Sequence, residues 1–161
     1  MGKGSLFDVI ILGVTMLVLA IGILIGSLVM TQIQTSTSSM LTSAGAQAAL
    51  QAGTDAINTF NYGFVIIVIG GAIGSLILAW MVPSHPIFML VSVIMLLLSV
   101  VVLPILANTY ETFASTSEMA SAAASFPLMN LLMSNMPLIG VVFGVMMMIV
   151  LYTRYNTQGT A

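Results

Sequence analysis

The chain has no cysteine, and only seven of its 161 residues are Asp, Glu, Lys, Arg or His. Without cysteine there are no disulfides, thiolate metal sites or thiol nucleophiles, and the redox state of the compartment leaves no mark. Two basic residues cannot form a phosphate-binding surface, so direct nucleic-acid binding is not expected. His85, flanked by Pro83 and Pro86, has no second His or Cys with which to hold a metal, and reads as a solvated turn residue. Asp55, Glu111 and Glu118 read as solvated loop carboxylates rather than a cation site shared between subunits. Catalysis needs an acid, base, nucleophile or metal set, and none can be assembled from these residues. The expectation is a chain that is not an enzyme, with no cofactor and no small-molecule substrate.

What the chain has instead is apolar length. It is 60% hydrophobic and 4% charged, with a mean hydropathy of +1.20. An ordinary soluble domain carries about 25% charged residues, so this composition cannot cover a water-facing surface. All seven charge-bearing positions fall outside four apolar stretches, residues 9–30, 62–82, 87–107 and 137–153. A helix needs about 20 apolar residues to cross the hydrocarbon layer. Three stretches reach that length, and the fourth does so if residues 130–136 extend it past Pro137. Barrel strands would alternate polar and apolar residues, and runs such as VIMLLLSVVVLPILA do not. The expected fold is all-α: a polytopic membrane protein with four transmembrane helices as two tandem helical hairpins, residues 1–84 and 85–161, joined by long helical or irregular linkers.

The apolar run after Lys3 is too long for a signal-peptide core of about 7–15 residues, so it reads as a retained span. Asp8 follows Ser5 at capping-box spacing, with Asp in place of Glu, and reads as stabilising the first helix's N-terminus. Lys3, His85 and Arg154 fall on one side of a four-pass trace, and Asp55, Glu111 and Glu118 on the other. The positive-inside rule then places both termini on the cytoplasmic or interior side of a cell or virion membrane.

An internal repeat organises the chain. Gly13 to Ala20 (GVTMLVLA) aligns without gaps on Ser92 to Ser99 (SVIMLLLS), an offset of 79 with Val, Met and two Leu identical. At the same offset STSSMLTSAG, from Ser36, lies over STSEMASAAA, from Ser115, with five identities. The second and fourth stretches align more loosely at an offset of 74, placing Gly70 over Gly144. Duplication of a hairpin would give a parallel repeat with its pseudo-axis along the membrane normal. Chance likeness between low-complexity helices is the competing reading.

Both linkers exceed the usual helix–helix connection. The early part of residues 31–61 can continue the first helix beyond the bilayer. Ala44, Ala48, Ala49, Ala52 and Ala56 then recur near helical spacing, predicting a second helix with a small-residue face. In the linker 108–136, the apolar piece 128–133 either lies at the interface or forms the first turns of a kinked helix through Pro137. Disorder competes in both. Pro104 reads as a kink or terminus of the third helix.

Glycines four apart recur inside three stretches: Gly22 with Gly26, Gly70 with Gly74, and Gly140 with Gly144. Such pairs let helix backbones approach closely where lipid supplies no hydrophobic drive. They are the candidate packing interface, within one chain or between chains. The 14 methionines, scattered along helix faces, suit adaptable packing better than soft-metal binding.

The absence of intramembrane charge argues against pumps and most transporters. A duplicated hairpin is similar in outline to the proteolipid subunits of rotary ATPases, but those carry short polar loops and a mid-helix carboxylate, which this chain lacks. A second likeness lies in residues 86–155. An apolar helix reaches Leu103-Pro104, and a Ser/Thr/Ala linker follows. Met136-Pro137-Leu138 then opens a second apolar helix that closes with Leu151-Tyr152-Thr153-Arg154. This layout resembles the small hydrophobic helical-hairpin capsid and membrane proteins of archaeal viruses, spindle-shaped or lipid-containing, here as a tandem duplicate. The resemblance implies a structural subunit that lines or replaces a lipid shell, contacting the bilayer and forming a homo-oligomer or a lattice with other hydrophobic subunits. A non-catalytic accessory subunit of a membrane enzyme complex and a holin-like or channel-forming protein are the alternatives.

Overall fold

Over residues 7–81 the chain contains no proline, and Ile, Leu, Val, Met, Ala and Gly dominate it. A backbone in lipid has only itself to hydrogen-bond, so such runs form helices. The structure, a computed structural model, describes residues 7–37, 40, 43–81 and 86–158. Six helices follow among them: α1 (Phe7–Thr37), α2 (Ala44–Met81), α3 (Pro86–Ala114), α4 (Ala120–Ala124), α5 (Pro127–Ser134) and α6 (Met136–Gln158). No strand occurs among the described residues. Four segments are long and apolar enough to cross a membrane: Val9–Thr37, Ala44–Met81, Leu90–Ala114 and Met136–Thr153. The chain is an all-α protein whose helices fit an integral membrane location. Lys3, Ser5 and His85, and with them the capping box and the Pro83–Pro86 turn, lie outside the described residues.

α1 packs on α2 and α3, and α6 packs on the same two helices, so the four long helices form a bundle in the order α1, α2, α6, α3. Val9, Gly13, Met16, Ala20, Ile23 and Ser27, buried along α1 together with Leu24, alternate steps of four and three. That is the spacing of a left-handed helix seam, in which neighbours cross at about 20°. The residues turned outward are bulky and apolar, among them Ile66, Ile94, Leu97, Val101 and Leu138. Branched aliphatics on the outside suit a helix bundle solvated by acyl chains, while Met, Phe and Leu with scattered Ala, Gly and Ser fill the interior. Helical hydroxyls satisfy themselves on their own backbone: Thr54 Oγ1 donates to the Leu50 carbonyl at 3.1 Å, Ser75 Oγ to that of Gly71 at 2.9 Å, and Thr109 Oγ1 to that of Ile105 at 2.8 Å.

Both linkers are largely helical, and each departs from expectation in its own way. The alanine-rich segment is not a separate helix, because α2 runs unbroken from Ala44 through the second apolar stretch. No proline or helix-stopping glycine motif intervenes, so the ladder has no reason to break. All five alanines of the expected face are exposed. Pro104 does not end α3, which continues to Ala114 with Pro104 on its outer surface. The second linker turns back at α4, and α5 then descends between α2 and α3 to meet α6. Met129, Met133, Met136, Gly140, Phe143, Met147 and Leu151 are all buried, one stripe across both helices. α5 and α6 are therefore two pieces of one passage, the kinked-helix alternative. The break is at Asn135 (φ −96°, ψ 9°), where Pro137 lacks the N–H that would have bonded the Met133 carbonyl.

Leu12 touches Gly71 and Met30 touches Gly53, so α1 and α2 run antiparallel. Leu103 likewise meets Gly140 in the antiparallel pair α3 and α6. At the offset of 79, burial stays in phase: Gly13 and Ser92, Ala20 and Ser99, and Leu24 and Leu103 are all buried. At the offset of 74 it does not, since buried Phe64 and Val68 fall on exposed Leu138 and Val142. Height also differs between the hairpins. Gly13 sits against Leu103 and Leu106, whereas hairpins related by rotation about the membrane normal would bring it level with Ser92.

Candidate functional site

The six spaced glycines divide into two environments. A methyl group on Gly140 would collide with Leu103, itself 2% exposed, so here α6 approaches α3 as closely as glycine permits. Gly144 is buried on the same helix. At Gly22, Gly26, Gly70 and Gly74 a Cβ would meet no atom within 4 Å beyond its own helix and chain neighbours. The pairs in α1 and α2 thus make no close contact inside the chain. Gly22 and Gly26 line an open apolar cleft of about 630 Å³ with Leu19, Ile23, Ile57 and Phe60.

The other close approaches use glycines outside the spaced pairs. A Cβ on Gly13 would lie 2.6 Å from Leu103 Cδ2 and 2.9 Å from Met136 Cε. One on Gly71 would lie 3.1 Å from Leu12 Cδ1, and one on Gly53 would strike Met30 Cε. The signal for Gly13 was its place in the stepping of buried residues along α1. Four-residue spacing between glycines does not report that phase.

A polar node holds α5 in place. Phe126 (φ −121°, ψ 63°), which precedes Pro127, offers no side-chain acceptor to the first turn of α5. Asn61 on α2 supplies one: its Oδ1 accepts the Met129 N–H at 3.2 Å, and Asn61 is buried. Asn130 is gripped from two sides, its Oδ1 accepting the Tyr110 hydroxyl and its Nδ2 donating to the Ala123 carbonyl at 2.7 Å. These bonds join α2, α3, α4 and α5 where unpaired amides would be costly. Nothing in the composition pointed to them. The hint was two asparagines and a tyrosine at the ends of apolar stretches.

Chemically the arrangement can pack and can hold neutral polar groups. Among the described residues, no three His, Cys, Asp or Glu side chains gather as a metal site would require. The space among the four long helices is lined by apolar residues, among them Val9, Met16, Val68, Leu103 and Phe143. No protein-family model, curated protein or solved structure matches the chain.

Proposed function

We infer that the chain is a structural membrane protein that packs into a repeated assembly, the shell or membrane of a virion. It acts by helix packing, without catalysis, and its partners are the bilayer and further copies or other hydrophobic subunits. The observation that carries this reading is the open space beside Gly22, Gly26, Gly70 and Gly74, the first two in a cleft bordered by Ile57 and Phe60 of α2, where an added Cβ meets nothing within 4 Å. A helix of another subunit can approach such a face as closely as α3 approaches Gly140. The apolar lining of the bundle centre favours a building role over a channel through one chain. Lys3 and Arg154 support termini on the cytoplasmic or interior side.

The test replaces Gly22 and Gly26 together with leucine and measures native mass in detergent. Wild-type protein is expected to run as many identical copies, and the double variant as small species with unchanged helix content. An unaltered assembly would remove the packing role of this face. A fixed small stoichiometry with one large partner would point to the accessory role instead.

A further inference from the structure

We propose that the recess between α1 and α4 binds a neutral, hydroxyl-rich group, the chemistry of a sugar or polyol lipid headgroup. It encloses about 690 Å³ including its open mouth, and is lined by Ser27, Thr31 and Gln32 of α1 with Ser121 and Ser125 opposite. Leu28 and Ala122 complete the lining. Ser27 is 8% exposed, and its hydroxyl has no hydrogen-bond partner among the described residues. Two of its neighbours are satisfied: Thr31 Oγ1 donates to the Ser27 carbonyl at 2.9 Å, and Ser125 Oγ to the Ser121 carbonyl at 3.4 Å. A buried hydroxyl left unpaired is unfavourable, and such groups in folded proteins are normally completed by water or ligand.

The lining decides the chemistry. No charged side chain contributes to it, so an ionised ligand would be desolvated without a counter-charge. A purely apolar chain would leave Ser27 unpaired. Hydroxyls that both donate and accept, and the Gln32 carboxamide that does the same, match a ligand bearing several hydroxyls. The recess lies where the apolar run of α1 gives way to Thr31 and Gln32, the depth at which lipid headgroups meet the protein.

The test uses the full chain purified in an amine-oxide detergent, which carries no sugar to compete. Native mass spectrometry compares retention of monogalactosyl diacylglycerol with that of phosphatidylcholine bearing the same acyl chains. The galactolipid is expected to be retained preferentially. Ser27→Val should lower that retention about fivefold to tenfold, and Ser27→Thr, which keeps the hydroxyl, should preserve it. Ser125→Ala, at the exposed rim, should weaken retention without touching the helix seam. Displacement by free methyl galactoside would show that the hydroxyl pattern alone is recognised, and binding of the lipid only would assign the site to headgroups. Equal retention of the two lipids, or full retention by a Ser27→Val protein with native helix content, would mean that water fills the recess and would overturn the proposal.

Discussion

A glycine in a membrane helix matters by what stands opposite it. Gly140 faces the buried side chain of Leu103, which must shift to admit a methyl group, so Gly140→Ala is expected to destabilise the folded chain by about 1–3 kcal/mol, the usual cost of overpacking. Gly22→Ala places its methyl group in open space and should leave the isolated chain within about 0.5 kcal/mol of wild type, as outlying surface changes do. Unfolding of both variants in mixed micelles, followed by the fluorescence of Trp80, checks the pair. Equal losses would mean that the two glycines share one environment. The sequence offers both residues as members of identical spaced pairs. It could not separate them, because spacing along a helix does not say which way the face turns. The same gap hid Gly13 and Asn61, whose roles depend on partners 68 or more positions away, as Asn61 is from Met129, and Asn130, whose Tyr110 partner lies 20 positions away on another helix.

Helices were legible where apolar length alone decides them, and less so where they leave the bilayer. α2 has 38 residues, about 57 Å at 1.5 Å per residue, against a hydrocarbon layer of about 30 Å. Its first turns, with the end of α1, must therefore project past the membrane on the side away from the chain termini. Alanine spacing exposed the helix but not its fusion to the span, since both segments are helix-forming and nothing between them breaks the ladder. The kink between α5 and α6 was readable from Pro137, whereas the descent of α5 into the bundle needed Asn61 and Tyr110 to anchor it. The native chain has no cysteine, so single replacements report position cleanly. Ala48→Cys should react with a membrane-impermeant maleimide, and Ile69→Cys, deep in the second apolar stretch, should not. Labelling at Ile69 in sealed vesicles would contradict the assigned span.

At the scale of the molecule, the two hairpins share part of a burial phase but not a height. Three pairs equivalent at the offset of 79, Gly13 with Ser92, Ala20 with Ser99 and Leu24 with Leu103, are buried alike, whereas exposed Thr31 falls on buried Tyr110. Gly13 nevertheless rests against Leu103, the counterpart of Leu24, so the second hairpin is shifted by 11 positions, about 16 Å of helix rise. A shift of this size leaves the start of α3, with outward Ile87, Leu90 and Ile94, extending past the level of the first turns of α1. Tilt, a locally thicker bilayer or neighbouring subunits must then cover that apolar surface. The last of these would link the stagger to the proposed assembly. Paired cysteines measure the shift directly. Gly13→Cys with Leu106→Cys should be joined by a short dithiol-reactive crosslinker, since a Cβ on Gly13 lies 3.5 Å from Leu106 Cδ1. Gly13→Cys with Ser92→Cys, which level hairpins would bring to the same depth, should stay unlinked. The opposite pattern would place the hairpins side by side at one height, and the stepped surface, with its consequence for packing between copies, would be lost.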